Sequence, residues 1–231
     1  MKTYDVKLKD RRWVAHQTAA VRIERPSGYD YEAGQFARVK IDGKSHVFTL
    51  ASAPHEEDLM FVTRMRDSAF KNALGALEPG SAVDIGASEG DFTLHAGDRT
   101  IVFVAGGIGV TPVRSMVLDA VQKNRPERLY FFYMNHRRED AAFLDELHRA
   151  EKASPKFTMI PTMTRPDSSE KPWDGETGHV DARMIQKYVP NLNEPRYYVC
   201  GPPEMVDATE SMLERAGVPA ERIQVEHFSG Y

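Results

Sequence analysis

A run of glycines and a single cysteine mark the places where this chain could do chemistry. Gly106, Gly107 and Gly109 follow five apolar residues, Ile101 to Ala105, and precede Thr111-Pro112. The apolar run suits a central parallel strand covered on both faces. Proline fits the first helical turn, and Thr111 stands where a cap belongs. Glycines let a ligand approach the backbone, and the free N–H groups of a helix start attract anions. A phosphate or pyrophosphate is therefore expected at this turn, the alternative being a tight turn that holds nothing. The third glycine of the dinucleotide fingerprint is absent, and so is the Lys-Ser or Lys-Thr of a P-loop. Cys200-Gly201-Pro202-Pro203 repeats the pattern, ending a strand and opening a helix. A lone strand-end cysteine more often packs as inert core, and no second cysteine offers a disulfide mechanism.

The elements that must position these turns divide into two kinds. The first ~95 residues carry short alternating runs of the antiparallel type: Val6 to Leu8, Thr18 to Glu24, Gln35 to Ile41, Ser45 to Ala51, Leu59 to Met65 and Ala82 to Ile85. Asp42-Gly43 is a hairpin signal, and a short helix is expected over Phe70 to Leu77. Many short strands with one helix suggest a small six-stranded barrel. After Ala96-Gly97-Asp98 the pattern changes. Strands at Arg128 to Met134, Phe157 to Met163, Tyr197 to Cys200 and Ile223 to Val225 alternate with helices at Glu139 to Glu151, Ala182 to Val189 and Pro203 to Ala216. That alternation implies a doubly wound parallel sheet, with ligands at the carboxyl ends of its strands. The expected domains are therefore 1–97 and 98–231.

Composition narrows the function. The chain has 231 residues, 41% of them hydrophobic, and a formal net charge of -4. Residues 1–97 hold 13 Lys/Arg and 14 Asp/Glu, leaving 17 and 20 for the remainder, so no basic stripe points to nucleic acid or anionic lipid. The start, MKTYDVKLKDRRW, has no apolar signal-peptide core, and no apolar run approaches the ~20 residues of a membrane span. A cytoplasmic location is expected. One cysteine rules out an internal disulfide or a four-cysteine zinc or iron–sulfur site within this sequence. The histidines show no metal-ligand spacing, and no nucleophile elbow is present.

Three stretches stand together in one order: HVFTLAS at 46–52, AGGIGVTP at 105–112 and CGPPEM at 200–205. With GQF at 34–36, EGDFTL at 89–94 and EHFSGY at 226–231, they resemble the ferredoxin–NADP reductase family over nearly the whole chain. The resemblance implies a flavin barrel followed by a nicotinamide-nucleotide domain. It implies that His46-Val47-Phe48-Thr49 is the flavin motif, with Phe48 against the isoalloxazine ring and Thr49 bonded to its reactive nitrogen. Two departures stand out: Phe48 replaces a tyrosine, and His46 replaces the arginine that holds a flavin phosphate. Ser68, Ala69, Phe70 and Lys71 match the second phosphate-binding segment, and a helix start there suits the diphosphate of FAD. NADPH or NADH is then expected along Gly106, Gly107, Gly109, Thr111 and Pro112, with Cys200, Gly201 and Pro202 beside the nicotinamide. Glu226 and Phe228 match a terminal segment that closes over the flavin edge, and Thr49, Cys200 and Glu226 form the implied catalytic set. An acidic residue after the strand ending near Met134 would favour NAD. The sequence there is Asn135-His136-Arg137-Arg138, and Arg137 is expected to favour the phosphate of NADPH.

The function expected from this resemblance is that of a monomeric flavoprotein reductase. It would pass hydride from NAD(P)H to FAD and then single electrons to a separate carrier, a ferredoxin, a flavodoxin or a small diffusible acceptor. The alternatives are a flavin or ferric reductase that uses flavin as substrate, and an electron-transfer component of a larger complex.

Overall fold

The structure, a computed structural model, describes residues 2–228. Its first half is one antiparallel sheet of six strands: β1 (Thr3–Ala15), β2 (Thr18–Ile23), β3 (Phe36–Ile41), β4 (Lys44–Thr49), β5 (Leu59–Arg64) and β6 (Ala82–Glu89), in the order β4-β3-β6-β1-β2-β5. In β3, Ala37, Val39 and Ile41 are buried and Arg38 and Lys40 exposed, the period of a strand with one wet face. Asp42 and Gly43 both take positive φ, 48° and 73°, and close the two-residue hairpin to β4. The sheet curls until its edge strands meet, where Phe48 of β4 stacks on Phe61 of β5 with centroids 4.7 Å apart. Helix α1 (Ala69–Ala76) adds Phe70 and Leu74 to this core.

Strand β1 is far longer than the expected Val6 to Leu8. It pairs with β6 through Thr3–Lys7 and with β2 from Leu8 to Ala15, with irregularities at Leu8/Asp10 and Trp13/Ala15. Its second half reads Asp10-Arg11-Arg12-Trp13, largely exposed, so hydrophobic alternation gives no sign of it. Bulges of this kind bend and twist a strand, which lets one chain segment serve both partners.

The second half is a parallel sheet in the order β10-β9-β8-β7-β11-β12: β7 (Thr100–Gly106), β8 (Arg128–Asn135), β9 (Phe157–Met163), β10 (Glu176–Thr177), β11 (Arg196–Gly201) and β12 (Ile223–His227). Central β7 is covered on both sides. Ile101, Phe103 and Ala105 pack with α2 (Val110–Gln122) and α3 (Leu144–Ala153). Val102 and Val104 pack with α4 (Ala182–Tyr188) and α5 (Pro203–Arg215). This antiparallel curled sheet joined to a doubly wound parallel sheet is the expected architecture. The core on the α2 side also takes in Ala20, Met60 and Val62 of the first sheet and Ala51 of the loop after β4, so the two halves share apolar packing.

Two helix starts differ from expectation. Gly107–Gly109 forms a 3₁₀ turn and α2 begins at Val110. Thr111 does not cap: its hydroxyl donates back to the Ile108 carbonyl at 3.0 Å. The helix expected from Glu139 is broken into a 3₁₀ turn at Arg138–Asp140 and α3 from Leu144. Phe143, at φ 60°, holds the left-handed conformation that interrupts it. Among the described residues no helix is long and apolar enough to cross a membrane.

Candidate active site

The carboxyl ends of β7, β8, β9 and β11 surround a cavity of about 510 Å³. Gly106, Gly107 and Pro202 come from the two turns singled out by their glycines, and Asn135 and His136 from the end of β8. Arg64, the last residue of β5, reaches the same cavity from the first sheet. The turn glycines serve two different needs. Gly107 has φ 53°, and a Cβ built on it meets nothing within 4 Å, so this position opens onto space. A Cβ on Gly109 would lie 2.3 Å from the Cys200 carbonyl oxygen. One on Gly201, at φ 142°, would lie 2.7 Å from the Met205 side chain and 2.9 Å from the Gly106 carbonyl oxygen. Gly109 and Gly201 therefore let the two turns abut, and Gly107 leaves room for a ligand.

Cys200 sits at this junction. It is fully buried, and its thiol donates to the Gly109 carbonyl at 3.1 Å. Burial first, and then the charge of Glu226, push the thiol well above its usual range. Glu226 lies opposite Cys200 in the β11–β12 register. Its Oε2 is buried with no hydrogen-bond partner among the described residues, and burial, followed by the nearby charge of Asp91, raises its carboxyl to about 7. The Phe228 N–H donates to the Gly201 carbonyl at 2.8 Å and ties the end of β12 to the second turn. Ser229, Gly230 and Tyr231, the rest of EHFSGY, lie outside the described residues.

A second group gathers on the first sheet. The His46 ring meets the edge of Phe70 at 5.0 Å and lies 6.0 Å from Phe48. This brings β4 beside the start of α1, where the Ser68 hydroxyl accepts the Lys71 N–H at 3.3 Å. Ser68 thus caps its own helix, and the N–H groups of Ala69 and Phe70 belong to the first turn, which has no intrahelical acceptors. Val47 is 45% exposed beside half-buried Phe48, and Thr49 is buried at the end of the strand. Lys71 is only 7% exposed, and among the described residues no carboxylate pairs with it. Burial, and then Arg66, push its ammonium below the usual range. A buried cation without a counter-charge fits an anion such as a diphosphate.

Arg137 does not line the cavity. Its guanidinium makes two bonds to Asp140, 3.1 and 2.9 Å long, and closes the 3₁₀ turn that follows β8. Arg64 brings the permanent charge to the cavity wall, and His136 stands there with its Nδ1 2.8 Å from the Thr164 hydroxyl. Burial, and next the charge of Arg165, push its imidazole down; Arg64 and His179 act in the same sense and Asp140 against it. Asn135, 6% exposed on the cavity wall, has an amide with no partner in hydrogen-bond geometry among the described residues. Sequence reading missed Arg64, Thr164 and His179 because they stand at strand ends and in a loop, far from the glycine turns in the chain. Asn135 and His136 stood in the basic segment but were overshadowed by its arginines.

Comparison with known proteins agrees with this geometry. Residues 103–211 match the oxidoreductase NAD-binding domain family. A component of the Na(+)-translocating NADH-quinone reductase of Methylococcus capsulatus is 32% identical over 158 residues, 67% of this chain and 39% of that protein. The xylene/toluene monooxygenase electron transfer component of Pseudomonas putida is 29% identical over 228 residues, 96% of this chain and 64% of that protein. The chain thus spans less than two thirds of the length of these curated relatives. A ferredoxin NADP+ reductase from Neisseria gonorrhoeae, solved with bound FAD and NADP, superimposes with a TM-score of 0.85 at 20% identity, over 98% of this chain and 99% of that one. The chain has the fold of that ferredoxin NADP+ reductase, and its second half matches an oxidoreductase NAD-binding domain.

Proposed function

We propose that this chain is an FAD-dependent NAD(P)H oxidoreductase that takes hydride from a nicotinamide and hands electrons singly to a separate protein carrier. FAD, when bound, supplies the conversion of a two-electron donor into one-electron deliveries. The observation that carries the reading is the junction where Gly107 opens on the cavity while Gly109 and Gly201 let the two turns abut beside it, against buried Cys200. The chain's own residues bind, orient and exclude water. The open Gly107 turn and Arg64 receive the pyrophosphate. Buried Cys200 and Gly201 form an apolar wall for the nicotinamide, and Phe48 and Thr49 present one face and one hydroxyl to the flavin ring. Lys71 and the start of α1 hold the flavin diphosphate. Electron-transfer components among the relatives favour a protein acceptor. The test is turnover: purified protein supplied with FAD should oxidise NADPH or NADH with a one-electron artificial acceptor, and failure with both nucleotides would overturn the reading.

The same reading moves the preference for NADPH from Arg137 to Arg64 and His136 on the cavity wall. Arg137 is already matched to Asp140, whereas Arg64 lines the cavity and acts, with Arg165, on His136. A steady-state comparison of NADPH with NADH should therefore show a ratio that Arg137→Ala leaves within about twofold, a change no larger than ~0.4 kcal/mol.

Two further expectations concern the flavin side. Thr49→Val keeps the shape and removes the hydroxyl. Loss of one hydrogen bond made chiefly in the transition state should slow flavin reduction by about 10-fold, or ~1.4 kcal/mol. Stopped-flow reduction at saturating nucleotide measures this, and an unchanged rate would remove Thr49 from the mechanism. His46→Arg places a permanently charged fork beside the start of α1. It should tighten FAD binding by up to about 10-fold, again ~1.4 kcal/mol, in a fluorescence titration of the apoprotein. Equal affinities would mean that position 46 does not face a phosphate.

A further inference from the structure

Arg114 lies one turn into α2 and is 1% exposed, the most deeply buried charge among the described residues. All five of its N–H donors are used. Nη1 donates to the Ala51 carbonyl at 2.6 Å and to Glu56 Oε2 at 2.7 Å. Nη2 donates to Glu56 Oε1 at 3.0 Å and to Glu146 Oε1 at 2.6 Å, and Nε to Glu146 Oε2 at 3.0 Å. The guanidinium carbon also stands 5.0 Å from the centroid of the Phe143 ring. The next residue extends the contact, with the Ser115 hydroxyl donating to the Ser52 carbonyl at 2.6 Å.

These bonds join three segments that matter to one another. Ala51, Ser52 and Glu56 belong to the loop that leaves β4 just after Thr49, the residue assigned to the flavin edge. Arg114 and Ser115 follow the Gly107–Gly109 turn, assigned to the nucleotide, by only about 6 Å of helix at ~1.5 Å per residue. Glu146 is on α3 and braces Arg114 from the far side. Two carboxylates face one guanidinium, so the cluster carries a net negative charge inside the protein. A buried ionic cluster is weak evidence for stability, because apolar residues of similar volume often stabilise as well. What a planar fork with five fixed donors supplies is geometry.

We infer that Arg114 is a positioning residue: by clamping α2 to the loop after Thr49, it sets the distance and angle between nicotinamide and flavin. The inference rests on the oxidoreductase reading above. It assigns Arg114 no contact with either cofactor, so the two binding steps should be insensitive to it. Hydride transfer should be sensitive, because a misplacement of about 1 Å remote from the chemistry can cost on the order of 100-fold.

The test is Arg114→Lys, which keeps a charge for the two glutamates but loses the fork. Single-turnover reduction of the FAD-loaded protein at saturating nucleotide should slow by 10-fold or more, while the dissociation constants of FAD and NADP+ stay within about twofold. A merely structural role would lower the melting temperature and leave that rate unchanged, and this result would overturn the inference. Should Arg114→Lys fail to fold, Glu146→Gln on the partly exposed side of the cluster takes its place. It removes one accepting oxygen and should slow the same step about threefold at unchanged affinities; an unchanged rate would again overturn the inference. If the unaltered protein shows no nucleotide-driven reduction at all, the oxidoreductase reading fails, and this inference fails with it. Reduction at the normal rate in the variants sinks the clamp alone.

Discussion

Gly109→Ala should be the most damaging single methyl group at the two cavity turns. Its Cβ would lie 2.3 Å from the Cys200 carbonyl oxygen and 3.1 Å from the Gly201 Cα, both backbone atoms that cannot swing aside. The two turns must separate, and with them Gly107 and Pro202 on the cavity wall. Overpacking of this kind costs about 3 kcal/mol, which lowers the melting temperature of a chain this size by roughly 6–12 °C. Nucleotide-driven flavin reduction should slow by about 100-fold, the usual scale for a displacement near 1 Å. Gly107→Ala is the control. Nothing lies within 4 Å of its Cβ, so only the left-handed φ of 53° resists, at about 1–2 kcal/mol. Its methyl group would stand in the space assigned to the pyrophosphate and should weaken nucleotide binding by about 10-fold, ~1.4 kcal/mol. Bound flavin should stay in place in both variants. Should Gly107→Ala shed flavin and keep its nucleotide affinity, the two halves of the molecule have been assigned in reverse.

Glu226 should make turnover depend steeply on pH. A hydride carries two electrons and a proton, so once both electrons have gone to a one-electron carrier, one proton remains to be removed. Glu226 Oε2 is buried, has no hydrogen-bond partner among the described residues and belongs to the residue opposite Cys200; on the proposed reading its carboxylate accepts that proton. With the carboxyl raised to about 7, the accepting form is scarce below that pH. The value of kcat/KM for a one-electron acceptor should rise about 10-fold per pH unit up to about 7 and then level off. Glu226→Gln should be slower and flat across the same range, and identical profiles in the two proteins would exclude this carboxylate. Stability should move in the opposite sense. The native state keeps the Glu226 proton to about 7, whereas the unfolded chain releases it near the ordinary 4.5. Between those values the native state binds more protons, so stability falls as pH rises through the window and is lowest above it. Glu226→Gln should remove that fall, read as melting temperature against pH.

How much of this was legible in the residues depends on the range over which each feature is determined. Strand β7 and its glycine turn are local: five apolar residues, three glycines and a proline specify strand, turn and helix together. The β3–β4 hairpin is equally local, because Asp42-Gly43 supplies both positive φ values. The outer half of β1 was invisible because Arg11 and Arg12 face solvent, and pairing with β2 is set by backbone hydrogen bonds and a bulge. Phe143 broke an expected helix through a left-handed φ that no pattern of apolar residues announces. At the site, the sequence pointed to Gly107 and Gly109 alike, and only their neighbours in space separate an open turn from a packed one. Arg64 and Arg114 act across the boundary between the two sheets. Their partners are far away in the chain, so their roles arise from tertiary packing and not from any motif.

The central claim, that nicotinamide and flavin meet at the Gly109–Cys200 junction, has one direct test. The FAD-loaded protein is placed under anaerobic conditions and its visible absorption recorded before and after one equivalent of NADPH, and separately of NADH. Bleaching of the visible flavin bands by either nucleotide, at a rate that falls about 100-fold in Gly109→Ala, is the expected result. A flavin spectrum that neither nucleotide changes, in a protein shown by titration to bind both, would contradict it.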